Sequence, residues 1–142
     1  MNYNKLTKKE LITLLKLREK PVTVQSTDEV FNFLKPYWSV EQEKFIVLLL
    51  DGAFKVKNVK VVSIGLVNKT IVHPREVFAP AIENRAVAVI VAHNHPSGNL
   101  TPSKDDFYTY DKLKYAGNML GIKVLDSIIF TAETYYSMEK DD

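Results

Sequence analysis

The sequence predicts one α/β (α+β) domain, a mixed β-sheet sandwiched by helices, and three observations lead there. The run Phe45 to Leu50 is apolar at every position, as a central strand covered on both faces must be, and Asp51-Gly52 directly after it is a hairpin signal. Helix-capping patterns alternate with strand-like runs from Thr7 to Ser137. The length of 142 residues, with 46% hydrophobic and 25% charged side chains, suits a single globular domain that buries roughly two thirds of its unfolded surface.

The elements follow in chain order. Thr7-Lys8-Lys9-Glu10 is a capping box with Leu6 and Leu11 at the staple positions, so a helix starts there and runs to about Glu19 before Pro21, with Leu11, Leu14, Leu15 and Leu17 on its apolar side. Ser26-Thr27-Asp28-Glu29 opens a short second helix carrying Val30, Phe31, Phe33 and Leu34, closed by Pro36. A polar stretch, Ser39 to Gln42, leads into the apolar strand, and the hairpin returns within Lys55 to Ile64, where valines interleave with polar residues. The next helix spans about Pro74 to Asn84, with Val77, Phe78, Ala81 and Ile82 on one face and Pro80 expected to kink or break it. A strand over Ala86 to Ala92 precedes a helix from Ser103 to Leu120, whose Tyr110, Leu113, Gly117 and Leu120 face inward and whose stop is Gly121. Ile122 to Phe130 and Tyr135 to Ser137 read as the last two strands.

Composition narrows the function classes. Without cysteine there are no disulfides, no thiol nucleophile and no Cys-based zinc site, so any metal is held by His and carboxylate. The longest aliphatic run is too short to cross a bilayer, and MNYNKLTKKE has no apolar core ahead of a cleavage site, so a cytoplasmic protein is expected. A net charge of +2 falls well short of the footprint of a dedicated nucleic-acid binder. Basic residues do gather at the start, as Lys5, Lys8, Lys9, Lys16, Arg18 and Lys20 against Glu10 and Glu19. Residues 1–21 are therefore read as a basic amphipathic helical segment and 22–142 as the domain proper.

The chemistry concentrates in VAHNHPSGNLTPSKDD, which begins at Val91. On a strand, His93 and His95 point to one face and Asn94 to the other, so two imidazoles can converge on one point. The loop Pro96 to Pro102 returns Asp106, in the first turns of the next helix, as a third ligand. Two His and one carboxylate leave a fourth tetrahedral position open for water, as a catalytic zinc requires. Ser103, at the helix start, is placed to hydrogen-bond a developing oxyanion. The letters His-Asn-His do not make an HNH nuclease, whose named residues are dispersed across a ββα unit. Local spacing does not identify a general base.

His93-x-His95, seven intervening residues, Ser103, two more and Asp106 resemble the JAMM motif of JAB/MPN-domain metallopeptidases. With VHPREVF upstream and LGIKVLD downstream, the wording is similar to the RadC-like branch of that family, over about Val22 to Ser137. The resemblance implies the JAB/MPN, cytidine-deaminase-like fold and one zinc ion on His93, His95 and Asp106 with water as fourth ligand. It also implies Ser103 as stabiliser of the tetrahedral intermediate. EKFIVLLLD is similar to the family's E-x-F-x-V-L-x-L-D, which implies Glu43 as general acid/base, with Glu41 as the fallback. On the residues alone either glutamate reads as a solvated turn residue. His73 reads as a supporting residue rather than a ligand, Arg75 and Glu76 as first-turn helix charges, and Ser97 and Gly98 as loop-shaping. Two departures stand out: Leu125-Asp126-Ser127 replaces the usual Leu-Asp-His, and the segment before the domain lacks the Gly-containing turn of the helix-hairpin-helix region that longer RadC proteins carry. The second departure weakens the link to DNA repair that the family traditionally carries.

The resulting expectation is a zinc-dependent hydrolase that cleaves an amide or isopeptide bond. Its competitor is a non-hydrolytic, nucleic-acid-associated accessory protein in DNA repair or recombination, using residues 1–20 for phosphate contacts. The compatible partners are a peptide or protein substrate, a second copy of the chain in a homodimer and, with the least support, DNA; no membrane is expected.

Overall fold

The computed structural model describes residues 6–19, 22–39, 41–64 and 72–140, with backbone alone at 17–19 and 63–64. Lys5, Lys20, Pro21 and the side chain of Leu17, all used in the sequence reading, lie outside that description. Among the described residues, four α-helices, α1 (Lys8–Glu19), α2 (Thr27–Leu34), α3 (Pro74–Glu83) and α4 (Lys104–Leu120), accompany five strands. The strands are β1 (Lys44–Leu50), β2 (Val56–Ile64), β3 (Ala88–Asn94), β4 (Lys123–Phe130) and β5 (Tyr135–Ser137). They form one sheet in the order β2-β1-β3-β4-β5, with only β3 and β4 parallel. Among the described residues, no helix is long and apolar enough to cross a membrane.

The central strands explain the two-sided apolar runs. In β1, Ile46, Leu48 and Leu50 enter one core with Leu14 of α1 and Val30, Phe31 and Leu34 of α2. Val47 and Leu49, one residue out of phase, enter the other core with Val77, Phe78 and Ala81 of α3 and Tyr110 and Leu113 of α4. β3 divides in the same way, Ile90 and Ala92 to the first core and Val89 and Val91 to the second. Helices therefore cover both faces, and each chemistry-bearing residue at a strand end is assigned to a face by parity.

Three apolar side chains expected inward are exposed. Leu15 is 49% exposed because α1 docks through Glu10 and Leu14, four apart on one face, which turns Leu15 outward. Ile82 and Leu120 stand in the last turns of α3 and α4, and the buried places just beyond are taken by Ala86 and Ile122. Pro80 neither breaks nor ends α3, which continues to Glu83 while burying Val77, Phe78 and Ala81. The burial of those side chains outweighs the single backbone donor that proline removes.

α4 ends at Gly121, whose φ of 74° places the terminating residue in the left-handed region. Gly117, one turn earlier, is required by close approach: a Cβ there would lie 2.3 Å from the Ile122 carbonyl oxygen and 3.3 Å from Phe78. Gly117→Ala is expected to destabilise the protein by about 3 kcal/mol, because backbone must move to admit the methyl. A urea midpoint lowered by less than the equivalent of about 1 kcal/mol would show that the strand start yields freely.

Candidate metal centre

β1 and β3 pair antiparallel with Phe45 opposite His93. Continuing that register along the same face sets Glu43 across from His95, just beyond the strand ends, so three potential ligands gather at one corner of the sheet. Glu43, His93 and His95 each offer a ligand atom within 4.8 Å of the others, a group able to hold a metal ion. His93 and His95 are buried and their ring centroids lie 4.8 Å apart. The Phe45 ring stacks on His93 at 6.1 Å and 7° and helps fix its plane.

Asp106 arrives from α4. Its Oδ1 is 3.2 Å from His93 Nε2 and its Oδ2 3.8 Å from His95 Nε2. A reciprocal capping box aims it: the Ser103 N–H donates to Asp106 Oδ2 at 2.8 Å, and the Asp106 N–H donates to Ser103 Oγ at 3.1 Å. As an acceptor in that box, the Ser103 hydroxyl keeps its own hydrogen for a further partner. The carboxylate is thus oriented by the helix start itself, and two imidazoles and two carboxylates from three elements share one corner.

The surroundings of the two histidine rings differ. His95 Nδ1 lies 2.6 Å from the Asn99 carbonyl oxygen, which can only accept, so Nδ1 carries a proton and Nε2, on the side of Asp106, is the nitrogen left for a metal. Gly98, at φ 84°, shapes the turn that brings Asn99 back, and its N–H donates to the His95 carbonyl. Both ring nitrogens of His93 are buried without a hydrogen bond among the described residues. Burying polar atoms without partners is costly, and a cation bound by one nitrogen of each ring and Asp106 would offset part of that cost, so the donor set fits a metal ion such as zinc.

Asn94, between the histidines, faces the other core and is fully buried. Its Oδ1 accepts from the Lys44 N–H at 2.6 Å, while Nδ2 donates to the Ser39 and Gln42 carbonyls at 2.9 and 2.8 Å. The neighbouring Lys44 ammonium donates to Glu10 Oε1 of α1 at 2.7 Å, both side chains being buried. Sequence reasoning assigned Asn94 only to a face and Glu10 only to a cap. Their long-range bonds carry no local signal.

The remaining residues take supporting places. Glu43 is half-buried, whereas Glu41, the fallback, is exposed in a turn whose N–H groups at Glu41 and Gln42 donate to Ser39 Oγ. His73 is the N-cap of α3, its Nδ1 accepting from the Arg75 N–H, and Arg75 and Glu76 are exposed first-turn charges. Asp105 is exposed. Ser127 is buried in β4 beside Val91.

Asp126, next to Ser127, has a carboxyl raised above the usual range by burial, opposed by hydrogen bonds from the Ser137 hydroxyl and the Glu139 and Ser127 N–H groups, and raised further by the Glu139 charge. A folded pKa above the unfolded one means the native state holds the extra proton. Stability is therefore lost as pH rises from the ordinary carboxylate range through the raised value. Asp126→Asn keeps an acceptor for both N–H groups and removes the charge, so its stability should fall less across that window than that of the wild type. Parallel pH–stability curves would show that Asp126 titrates normally.

Residues 24–142 match the family model described as "RadC-like JAB domain". A UPF0758 protein of Trichlorobacter lovleyi is 51% identical over 96 residues, covering 68% of this chain and 42% of its own length. A UPF0758 protein of Methanospirillum hungatei is 50% identical over 90 residues, 63% of this chain and 40% of its own. One from Caldanaerobacter subterraneus subsp. tengcongensis is 43% identical over 117 residues, 82% of this chain and 50% of its own. The chain spans about half the length of the curated relatives it matches. With a family match over most of its residues, on a five-stranded mixed sheet covered by helices, the chain belongs to the RadC-like JAB domain family.

Proposed function

We propose that this protein is a zinc-dependent hydrolase of the JAMM metallopeptidase class that cleaves an amide or isopeptide bond. The observation that carries this reading is the second carboxylate. His93, His95 and Asp106 suffice to hold a tetrahedral metal with one open position, and Glu43 adds a carboxylate at the same corner. A structural site would close the coordination with Glu43 as a fourth protein ligand, whereas a hydrolytic site keeps that position for water and needs a base beside it, the role we give Glu43.

Their surroundings divide the two carboxylates. Asp106 has Oδ2 tied to the Ser103 N–H and Oδ1 against His93, the disposition of a fixed ligand. Glu43 lies just ahead of β1 and is half-buried, open enough to take a proton from water and deliver it to a leaving amine. The Ser103 hydroxyl donates to the oxyanion that develops on the attacked carbonyl. When bound, zinc supplies Lewis-acid polarisation and lowers the pKa of its water toward about 7.

The test is cleavage of a panel of fluorogenic peptides and lysine-linked isopeptides by zinc-loaded protein. Glu43→Gln should retain zinc and lose roughly 10²- to 10⁴-fold in rate, the range contributed by a positioned general base. Chelation should abolish the same activity. Cleavage that survives both treatments would overturn the proposal.

A further inference from the structure

We propose that Asn94 is a positioning residue, the tether that sets Glu43 over the histidine pair; the inference rests on the hydrolase reading above and deepens it. All three of its side-chain hydrogen bonds go to the segment that carries Glu43. Two of them bracket Glu43: the Gln42 carbonyl accepts from Nδ2, and the Lys44 N–H donates to Oδ1. The third, to the Ser39 carbonyl, closes the turn through which the chain enters β1. Because Asn94 is flanked by His93 and His95, the peptide unit that aims both imidazoles to one face also aims this carboxamide to the other. Ligands and base are thereby referred to a single stretch of backbone.

The chemistry selects asparagine. The position needs two N–H donors for two carbonyls and one acceptor for an N–H, all in a fully buried place. Aspartate would turn a carboxylate on two carbonyl oxygens, and serine cannot span the three partners. Without the carboxamide, three backbone groups at the entry to β1 lose their partners, and the segment shifts to regain water. Glu43 moves with it, while His93, His95 and Asp106 are held by other bonds: the β3–β4 pairing, the Asn99 carbonyl and the Ser103 box.

The test uses cobalt(II) in place of zinc and reads the visible ligand-field spectrum, which responds to a carboxylate beside the open coordination position. Asn94→Ser should still bind near one equivalent of cobalt. Its spectrum should shift to coincide with that of Glu43→Gln, and the double variant should show no further shift, the non-additivity of two changes acting through one group. A wild-type spectrum in a merely less stable Asn94→Ser overturns the proposal, as does loss of cobalt from that variant in folded form, which would make Asn94 a support of the ligands. If Asn94→Ser does not fold, hydrogen exchange in the native protein decides. The Asn94 carboxamide protons should exchange as slowly as the β3 amides, and fast exchange overturns the tether. A wild-type protein that takes up no cobalt contradicts the hydrolase reading, and the exchange measurement still decides the tether.

Discussion

His95→Ala is expected to abolish zinc binding while leaving the fold in place. Wild-type protein should carry near one equivalent of zinc, and the variant should lose it by more than the roughly 10- to 100-fold in affinity that removal of an outer partner of a ligand costs. The fold should survive because the His95 ring serves the metal corner, whereas the two cores are closed by side chains on other elements. Removing the ring also frees the Asn99 carbonyl, which loses its Nδ1 partner, so the loop Pro96 to Pro102 should exchange its amides faster. Metal analysis after dialysis, with circular dichroism as the folding control, checks this. Full retention of zinc by folded His95→Ala would place the metal elsewhere.

Glu10→Ala should cost about 3–5 kcal/mol, the effect expected when one partner of a buried ion pair is removed and the other charge is stranded. Lys44 donates to Glu10 Oε1 at 2.7 Å with side chains 4% and 0% exposed, so the ammonium has little route to water. Glu10 Oε1 also accepts the Thr7 N–H, so one atom closes the α1 cap and anchors β1. Nearby Tyr37 registers the environment: burial, and then the Glu10 charge, push its phenol well above the ordinary range. A Glu10→Leu, Lys44→Met double variant should recover most of the loss, since an apolar pair of similar volume avoids desolvating either charge. Denaturant unfolding of the singles and the double distinguishes the cases. A Glu10→Ala cost below about 1 kcal/mol would mean that Lys44 snorkels to solvent.

The legible part of the site was the part encoded by local periodicity. His93 and His95 share a face because strand side chains alternate, and Ser103 and Asp106 meet because a capping box has fixed spacing. Glu43 was not legible from the residues alone. It reads as a turn glutamate until the β1–β3 register sets it across from His95, and that register depends on strands about 50 residues apart in sequence. The resemblance supplied what spacing could not. The Asn94 tether and the Glu10–Lys44 pair went unseen for the same reason, since they cross 50 and 34 residues and give no periodic signal. In the fold, the two-sided apolar runs of β1 and β3 declared a sheet covered on both faces, while the outward turn of Leu15 followed from a docking contact that only the tertiary structure shows.

Two carboxylates approach the histidine pair, and the proposed mechanism gives them different roles. The most direct test is zinc stoichiometry in Asp106→Ala and Glu43→Ala side by side, on protein purified identically. Asp106→Ala should lose zinc, because it removes the proposed ligand that the Ser103 N–H orients; Glu43→Ala should keep near one equivalent while losing hydrolysis. The reverse pattern, zinc retained without Asp106 and lost without Glu43, would make Glu43 the ligand and contradict the assignment of the base.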